Sequence, residues 1–188
     1  MSLEAGRPDH PLKPNLCSTG SDLEDVVPHK DDLVVISVVI VGRKVHKVLI
    51  DQGSSTDVMF WSTFTSLHLS PDQLRPHDGR LVGFAGDQVE VWEYIELRTT
   101  FSHGTSARKI IVSYILVNAS SAYNLLLGRS SLNRLGVVAS TNYMKMKLSS
   151  FEGGFITIKS NQKTVQKCYE NSLKNRRTYA ITVQAREP

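Results

Sequence analysis

Hydrophobic positions along this chain fall in short runs, many at the two-residue spacing of strands, and they begin late. Residues 1–30 are rich in Pro, Ser, Asp and Lys and carry no periodicity, which predicts a disordered linker or arm. From Asp31 the character changes. Leu33 to Val41 is a continuous β-branched run, Gly42-Arg43 supplies a turn, and Val45 to Ile50 returns as a second strand, so a hairpin delivers Asp51 to its tip. The apolar residues of Asp57 to Leu67 (DVMFWSTFTSL) fall at spacings a short helix uses, with Ser or Thr before it as a cap. Leu69 to Arg80, with its Pro and Asp residues, reads as a loop. Gln88 to Leu97 (QVEVWEYIEL) alternates as a half-exposed strand does, and the GFAG ahead of it predicts a glycine-flanked hairpin able to move.

Further strands are expected at Leu97 to Phe101, Lys109 to Val117, Tyr143 to Leu148 and Phe155 to Ile158, with a short helix at Ser131 to Leu135 closed by Gly136. No internal repeat is evident. The pattern is mainly β with one or two short helices, and its best architecture is a small closed or barrel-like sheet.

Composition narrows this picture modestly. A chain of 188 residues suits one domain with tails, and 21% charged residues is ordinary for a globular protein. The net charge of +4 permits contact with nucleic acid without arguing for it. Cys17 and Cys168 have neither metal-type nor disulfide-framework spacing and read as free thiols in a reducing compartment. The opening MSLEAGRPDHPLKPN has no apolar core, and Leu33 to Val41 is far shorter than the roughly 20 residues a membrane helix needs, so a soluble intracellular protein is expected.

The candidate chemistry sits in VLIDQGSSTDVMF, where a strand built for burial ends on a carboxylate. Such a group is either held by hydrogen bonds or kept for chemistry. Gly53 allows a tight turn that points Asp51 into a cleft, and the Ser54 hydroxyl is close enough to orient it. For an isolated D-x-G, an Asp bonded to its own turn is the commoner outcome. Other chemistries lack support: the six histidines have no metal spacing, Ser54 and Ser55 lack a G-x-S-x-G elbow or an evident base, and Gly83 and Gly86 do not make a phosphate loop.

The longer stretch changes the balance. Hydrophobic-hydrophobic-Asp-x-Gly-Ser-Ser resembles the active-site signature of aspartic proteases, and Leu126-Leu127-Gly128 resembles the segment that passes beside the catalytic loop in that family. Between them GFAG stands where the family keeps its flap. More narrowly, residues 31–158 resemble the retropepsin-type protease of plant Ty3/gypsy-class retrotransposon polyproteins, on VLIDQGSSTDVMFW, LVGFAGDQVEV, SSAYNLLLGRSSLNRLGVVAS and YMKMKL. The sequence departs from that family at Gln52, where Thr or Ser is usual, at Glu93 in place of a flap glycine, and at Ser130 in place of proline.

The resemblance implies a closed retropepsin-like β-barrel, one lobe per chain, that hydrolyses peptide bonds of its own polyprotein with water and no metal or organic cofactor. Asp51 would be the catalytic acid/base, Gln52, Gly53, Ser54 and Ser55 would support its loop, and Phe84, Ala85 and Gly86 would form the flap over substrate. Leu126, Leu127 and Gly128 would pack under the loop. Aspartic proteolysis needs two carboxylates sharing a proton, and no second D-x-G exists: Asp78-Gly79 lacks the intervening residue, and neither Asp57 nor Asp87 is followed by glycine at the required place. A homodimer with one Asp51 per chain supplies the pair. The alternative is a non-catalytic retropepsin-like dimerisation or peptide-binding module, an element relic or a host-retained copy. The expected location is cytoplasmic, in virus-like particles, with no membrane contact. Nucleic-acid contact is expected only through residues 159–188, a basic tail or linker where Lys163, Lys167, Lys174, Arg176, Arg177 and Arg186 outnumber Glu170 and Glu187, and which reads as a helix with a solvated basic face.

Overall fold

The computed structural model describes residues 33–82, 88–150 and 154–172, and most of them lie in strands. Strand β1 (Val35–Ile40) and β2 (Arg43–Ile50) pair antiparallel around Val41-Gly42. Both turn residues have positive φ, 49° and 73°, as the mirror-image hairpin turn requires, so the turn lies one residue earlier than Gly42-Arg43. Strand β2 also hides a bulge. Val45 and Val48 are both buried, although an odd spacing would put them on opposite faces. His46 and Lys47 together stand opposite Ser37, which restores the inward pattern, and Lys47 takes a left-handed φ of 56°.

The expected helix over Asp57 to Leu67 is divided. Its first residues form β3 (Asp57–Phe60), and only α1 (Trp61–Ser66) is helical, without the anticipated Ser or Thr side-chain cap. Pairing on both sides of β3 overrides the local spacing. A 3-10 turn at Pro71–Gln73 leads into β4 (Arg75–Val82), where a loop was expected; its partner is β5 (Gln88–His103), which joins two predicted strands into one of 16 residues. Then follow β6 (Ser106–Val117), β7 (Leu125–Leu127) and α2 (Arg129–Leu135), the last ending at Gly136 in the left-handed conformation, φ 60°. Strands β8 (Val138–Ser140), β9 (Lys145–Ser149) and β10 (Phe155–Lys159) make a separate antiparallel sheet, and residues 162–172 form helix α3.

The large sheet runs β1-β2-β7-β3-β6-β5-β4, and β1 pairs again with β5 through Val39–Thr100 and Ile40–Thr99. Six strands thereby close into a barrel, and closure leaves those strands no free edge. Strand β4 stays outside the ring, making with the first half of β5 a hairpin arm. Inside, Ile40, Val48, Met59, Phe101, Val112 and Leu127 are fully buried, and buried Thr99 Oγ1 and Tyr114 Oη satisfy each other at 3.0 Å. The small sheet and α2 extend the same core through Leu132, Leu135, Met146, Leu148 and Ile156. Helix α3 lays Val165 on Val35 and Met144, and the Ser160 hydroxyl bridges the Val35 N–H and C=O at 2.9 and 2.8 Å. The packed body thus continues past Ile158 to residue 172. No helix among the described residues is long and apolar enough to cross a membrane.

Phe101, at 0% exposure, fills the barrel where β5 meets β1. Phe101→Ala is expected to destabilise the fold by about 3–5 kcal/mol, read from the denaturant midpoint, whereas Ile111→Thr on the outer face of β6 changes it by less than about 1 kcal/mol.

Candidate active site

Strand β7 is the piece around which the site is built. It lies between β2 and β3, parallel to the first (Val48–Leu125, Ile50–Leu127) and antiparallel to the second (Val58–Leu126). The loop from Asp51 to Thr56 must therefore bridge the width of β7, and the turn from β7 into α2 passes beneath it. Asp51 sits just beyond β2, and its N–H donates to Leu127 O at 2.9 Å.

The Asp51 carboxylate is only half-buried and turns back on its own loop: Oδ1 accepts from the Gly53 N–H at 2.9 Å and the Ser54 N–H at 3.3 Å. Among the described residues no hydrogen bond engages Oδ2. The expected hydroxyl contact from Ser54 is not made. That hydroxyl donates to Thr56 O at 2.9 Å and accepts from the Thr56 N–H at 3.3 Å, because the backbone N–H groups two and three residues on already fill the near side of the carboxylate. Gln52, Gly53 and Ser55 are exposed.

Gly128 lets the two segments meet. A Cβ there would collide with Thr56 O and come within 2.9 Å of Ser54 O. In this close approach the Arg129 N–H donates to Ser54 O at 2.9 Å. Leu127 is fully buried in the main core, while Leu126 packs with Val58, Phe60, Ile115 and Val117 in a second, smaller apolar cluster.

A second carboxylate completes the clasp, one that sequence reasoning weighed only as a failed D-x-G. Asp57 is 4% exposed; Oδ1 accepts from the Gly128 N–H and Oδ2 from the Ser131 hydroxyl, both at 2.8 Å. Burial raises its pKa above 3.8, and the hydrogen bonds from Ser131 and Gly128 and the positive charge of Arg134 only partly offset this. The signal that could have found it is the one that singled out Asp51: a carboxylate abutting an apolar run, here DVMF.

Next to this clasp a cavity of about 250 Å³ opens between the loop, the base of the β4–β5 arm and β6, lined by Ser55, Thr56, Asp57, His77, Tyr94, Ser113, Ile115 and Ser130. The His77 and Tyr94 rings meet edge to face at 6.0 Å across the two arm strands. Phe84, Ala85 and Gly86 lie outside the described residues, in the connection between β4 and β5. Glu93, one of the departures, is half-buried on β5. Among the described residues no group of three His, Cys, Asp or Glu side chains comes together in a way that could hold a metal ion.

Two changes test the clasp. Gly128→Ala is expected to lower stability by about 1–3 kcal/mol, since backbone rather than a flexible side chain must move. For Asp57 the folded pKa is the higher one, so the stability its neutral form contributes is complete below 3.8 and is lost as pH rises through the folded value. Asp57→Asn does not titrate. The stability difference between parent and Asp57→Asn should therefore shift in the parent's favour as pH falls from about 7 to about 4, and a constant difference would contradict a raised pKa.

No family model matches the chain, and no curated protein does. Solved structures do. The retroviral protease-like domain of Ddi1 from Leishmania major superposes with a TM-score of 0.52 at 14% identity, over 70% of this chain and 96% of that one. EIAV protease complexed with the inhibitor HBY-793 gives 0.43 at 18% identity, over 61% and 99%. A retropepsin-like aspartic protease from Rickettsia conorii gives 0.43 at 14%, over 70% and 85%. The closed six-strand barrel with few helices is the mainly β, retropepsin-like fold expected from the sequence.

Proposed function

We propose that this chain is one subunit of an aspartic endopeptidase that acts on the retrotransposon polyprotein containing it. The observation that carries the reading is Asp51 itself: a carboxylate on a tight D-x-G turn beside β7, Oδ1 held by two backbone N–H groups, in a retropepsin-like barrel. The polyprotein context rests on the motif resemblance of VLIDQGSSTDVMFW and NLLLGR.

A single carboxylate cannot both take and give a proton in one step, so two copies of the chain would meet with their Asp51 loops face to face. One Asp51, ionised, takes a proton from the attacking water as its oxygen bonds the scissile carbonyl carbon; the other, protonated, gives its proton to the carbonyl oxygen. The resulting gem-diol collapses as its hydroxyl returns a proton to one carboxylate, the C–N bond breaks, and the leaving nitrogen is protonated by the other carboxyl. Oδ1 stays fixed by the Gly53 and Ser54 N–H groups, which leaves Oδ2 to the partner and the water. Exposed Gln52 and Ser55 flank the turn in this reading.

Substrate would lie along the Asp51 loop, with a side chain entering the cavity beside His77 and Tyr94 and the Phe84-Ala85-Gly86 segment folding over it.

Asp51→Asn is expected to reduce cleavage of a flanking polyprotein segment by at least about 10²–10⁴-fold, and mixed dimers of parent and variant should be equally slow, because each site needs both carboxylates. Mass spectrometry of the products measures this. Parental dimers that leave the segment whole would instead establish the non-catalytic module.

A further inference from the structure

The bulge in β2 involves none of the residues assigned to catalysis above, and it organises a basic trough. Two cavities adjoin there. One, of about 320 Å³, is lined by Arg43, Lys44, His46, Ser62, Ser66 and Asn124 among others, between β2 and α1. The other, of about 200 Å³, is lined by Ser37, Lys44, His46, Lys47, Lys159 and Thr164 among others, between β2, the end of β10 and the start of α3. Lys44 and His46 line both, so the two are neighbours along β2. No carboxylate lines either cavity, and among the described residues Arg43, Lys44, Lys47 and Lys159 are held in no ion pair.

Concentrating like charge in neighbouring cavities is unfavourable, and the backbone adds to the cost. Lys47 holds φ at 56°, a conformation that carries a steric penalty for any residue with a Cβ, where Gly or Asn would be far easier. Within the bulge, Asn124 N–H donates to Lys47 O at 3.0 Å, Asn124 Nδ2 donates to His46 O at 2.9 Å, and Ser37 Oγ meets His46 Nδ1 at 2.8 Å. His46 and Lys47 are thereby aimed from a rigid frame. A strained lysine in an unpaired cluster of cations is what an anionic ligand would compensate.

We infer that this trough binds the phosphodiester backbone of a nucleic-acid strand. Four cations spread over two neighbouring cavities suit a ligand with successive charges better than a single ion. Beside the cations stands the Ser62 hydroxyl, a group that contacts phosphate oxygens, while the Ser66 and Thr164 hydroxyls already donate to Ser62 O and Asn161 Oδ1. The inference does not depend on the protease reading, and it extends nucleic-acid contact beyond the basic tail into the folded barrel.

The test is binding of a labelled single-stranded RNA oligonucleotide to the full chain by fluorescence anisotropy, repeated across salt concentrations. Lys44→Gln combined with Lys47→Gly should weaken binding roughly tenfold and flatten the slope of log affinity against log salt by roughly 1.4, two phosphate contacts' worth. The same variant should melt no lower than the parent, since glycine takes φ 56° without strain, which separates lost binding from lost folding. Both differences should persist when Lys174, Arg176 and Arg177 of the tail are already changed to Gln. Equal affinities and slopes for parent and trough variant overturn the inference, as does a parent that fails to bind. Polyglutamate that competes as well as unlabelled RNA of matching charge overturns it too.

Discussion

A three-residue strand holds this molecule's two halves in register. Leu125–Leu127 fits between β2 and β3, and without it those strands have no common neighbour, the six-strand ring stays open and the Asp51 loop has nothing to cross. Three residues make few hydrogen bonds of their own, so the wedge is secured at its exit. The Asp57 carboxylate takes one donor from Gly128 and another from Ser131, fastening the start of β3 to the start of α2. Burying a carboxylate is expensive, and two hydrogen bonds to it repay only part of that, as its raised pKa records.

That fastening explains the chemistry available at Asp51. With β7 fixed, Leu127 O receives the Asp51 N–H, and Ser54 O receives the Arg129 N–H. The loop is gripped on both flanks by backbone, and its side chains are released from the task. The Ser54 hydroxyl turns inward to Thr56, and Asp51 keeps one oxygen on its own turn and the other outside it. The position of the carboxylate is set by main-chain geometry, and the Gln52 side chain beside it is exposed.

Much of this was legible in the residues. A long β-branched run, a return strand and a carboxylate at its end announce Asp51 because burial and charge conflict there; alternation in QVEVWEYIEL announces β5, and Gly136 announces the end of α2. What escaped has physical reasons. Leu125–Leu127 is too short to show a period, and Asp57–Phe60 has spacings that suit a helix until partners on both sides claim it. The β2 bulge breaks a two-residue period at Lys47, a residue type with no marked preference for positive φ. Arg75–Val82 contains Pro, Asp and Gly, which read as loop, yet pairing with β5 carries it as a strand with a register shift between Pro76 and Gly79. Asp57 has no following glycine to mark it as a D-x-G turn, and its role is signalled instead by the apolar residues after it.

The uninterrupted course of β5 has a mechanical consequence. From Tyr94 onward it is barrel wall, laddered to β6, and before Tyr94 it is the free arm, laddered to β4. An arm that is the same strand as the wall has no joint at which to swing. Any bending of the paired strands falls about the Tyr94 level, where His77 leans on Tyr94 and β4 shifts register between Pro76 and Gly79. The described part of the arm is thus one end of a leaf whose other end is clamped in the barrel: the stiffness of the paired strands depends on wall residues beyond Tyr94, and a substitution deep in β5 can change it without lying on the arm.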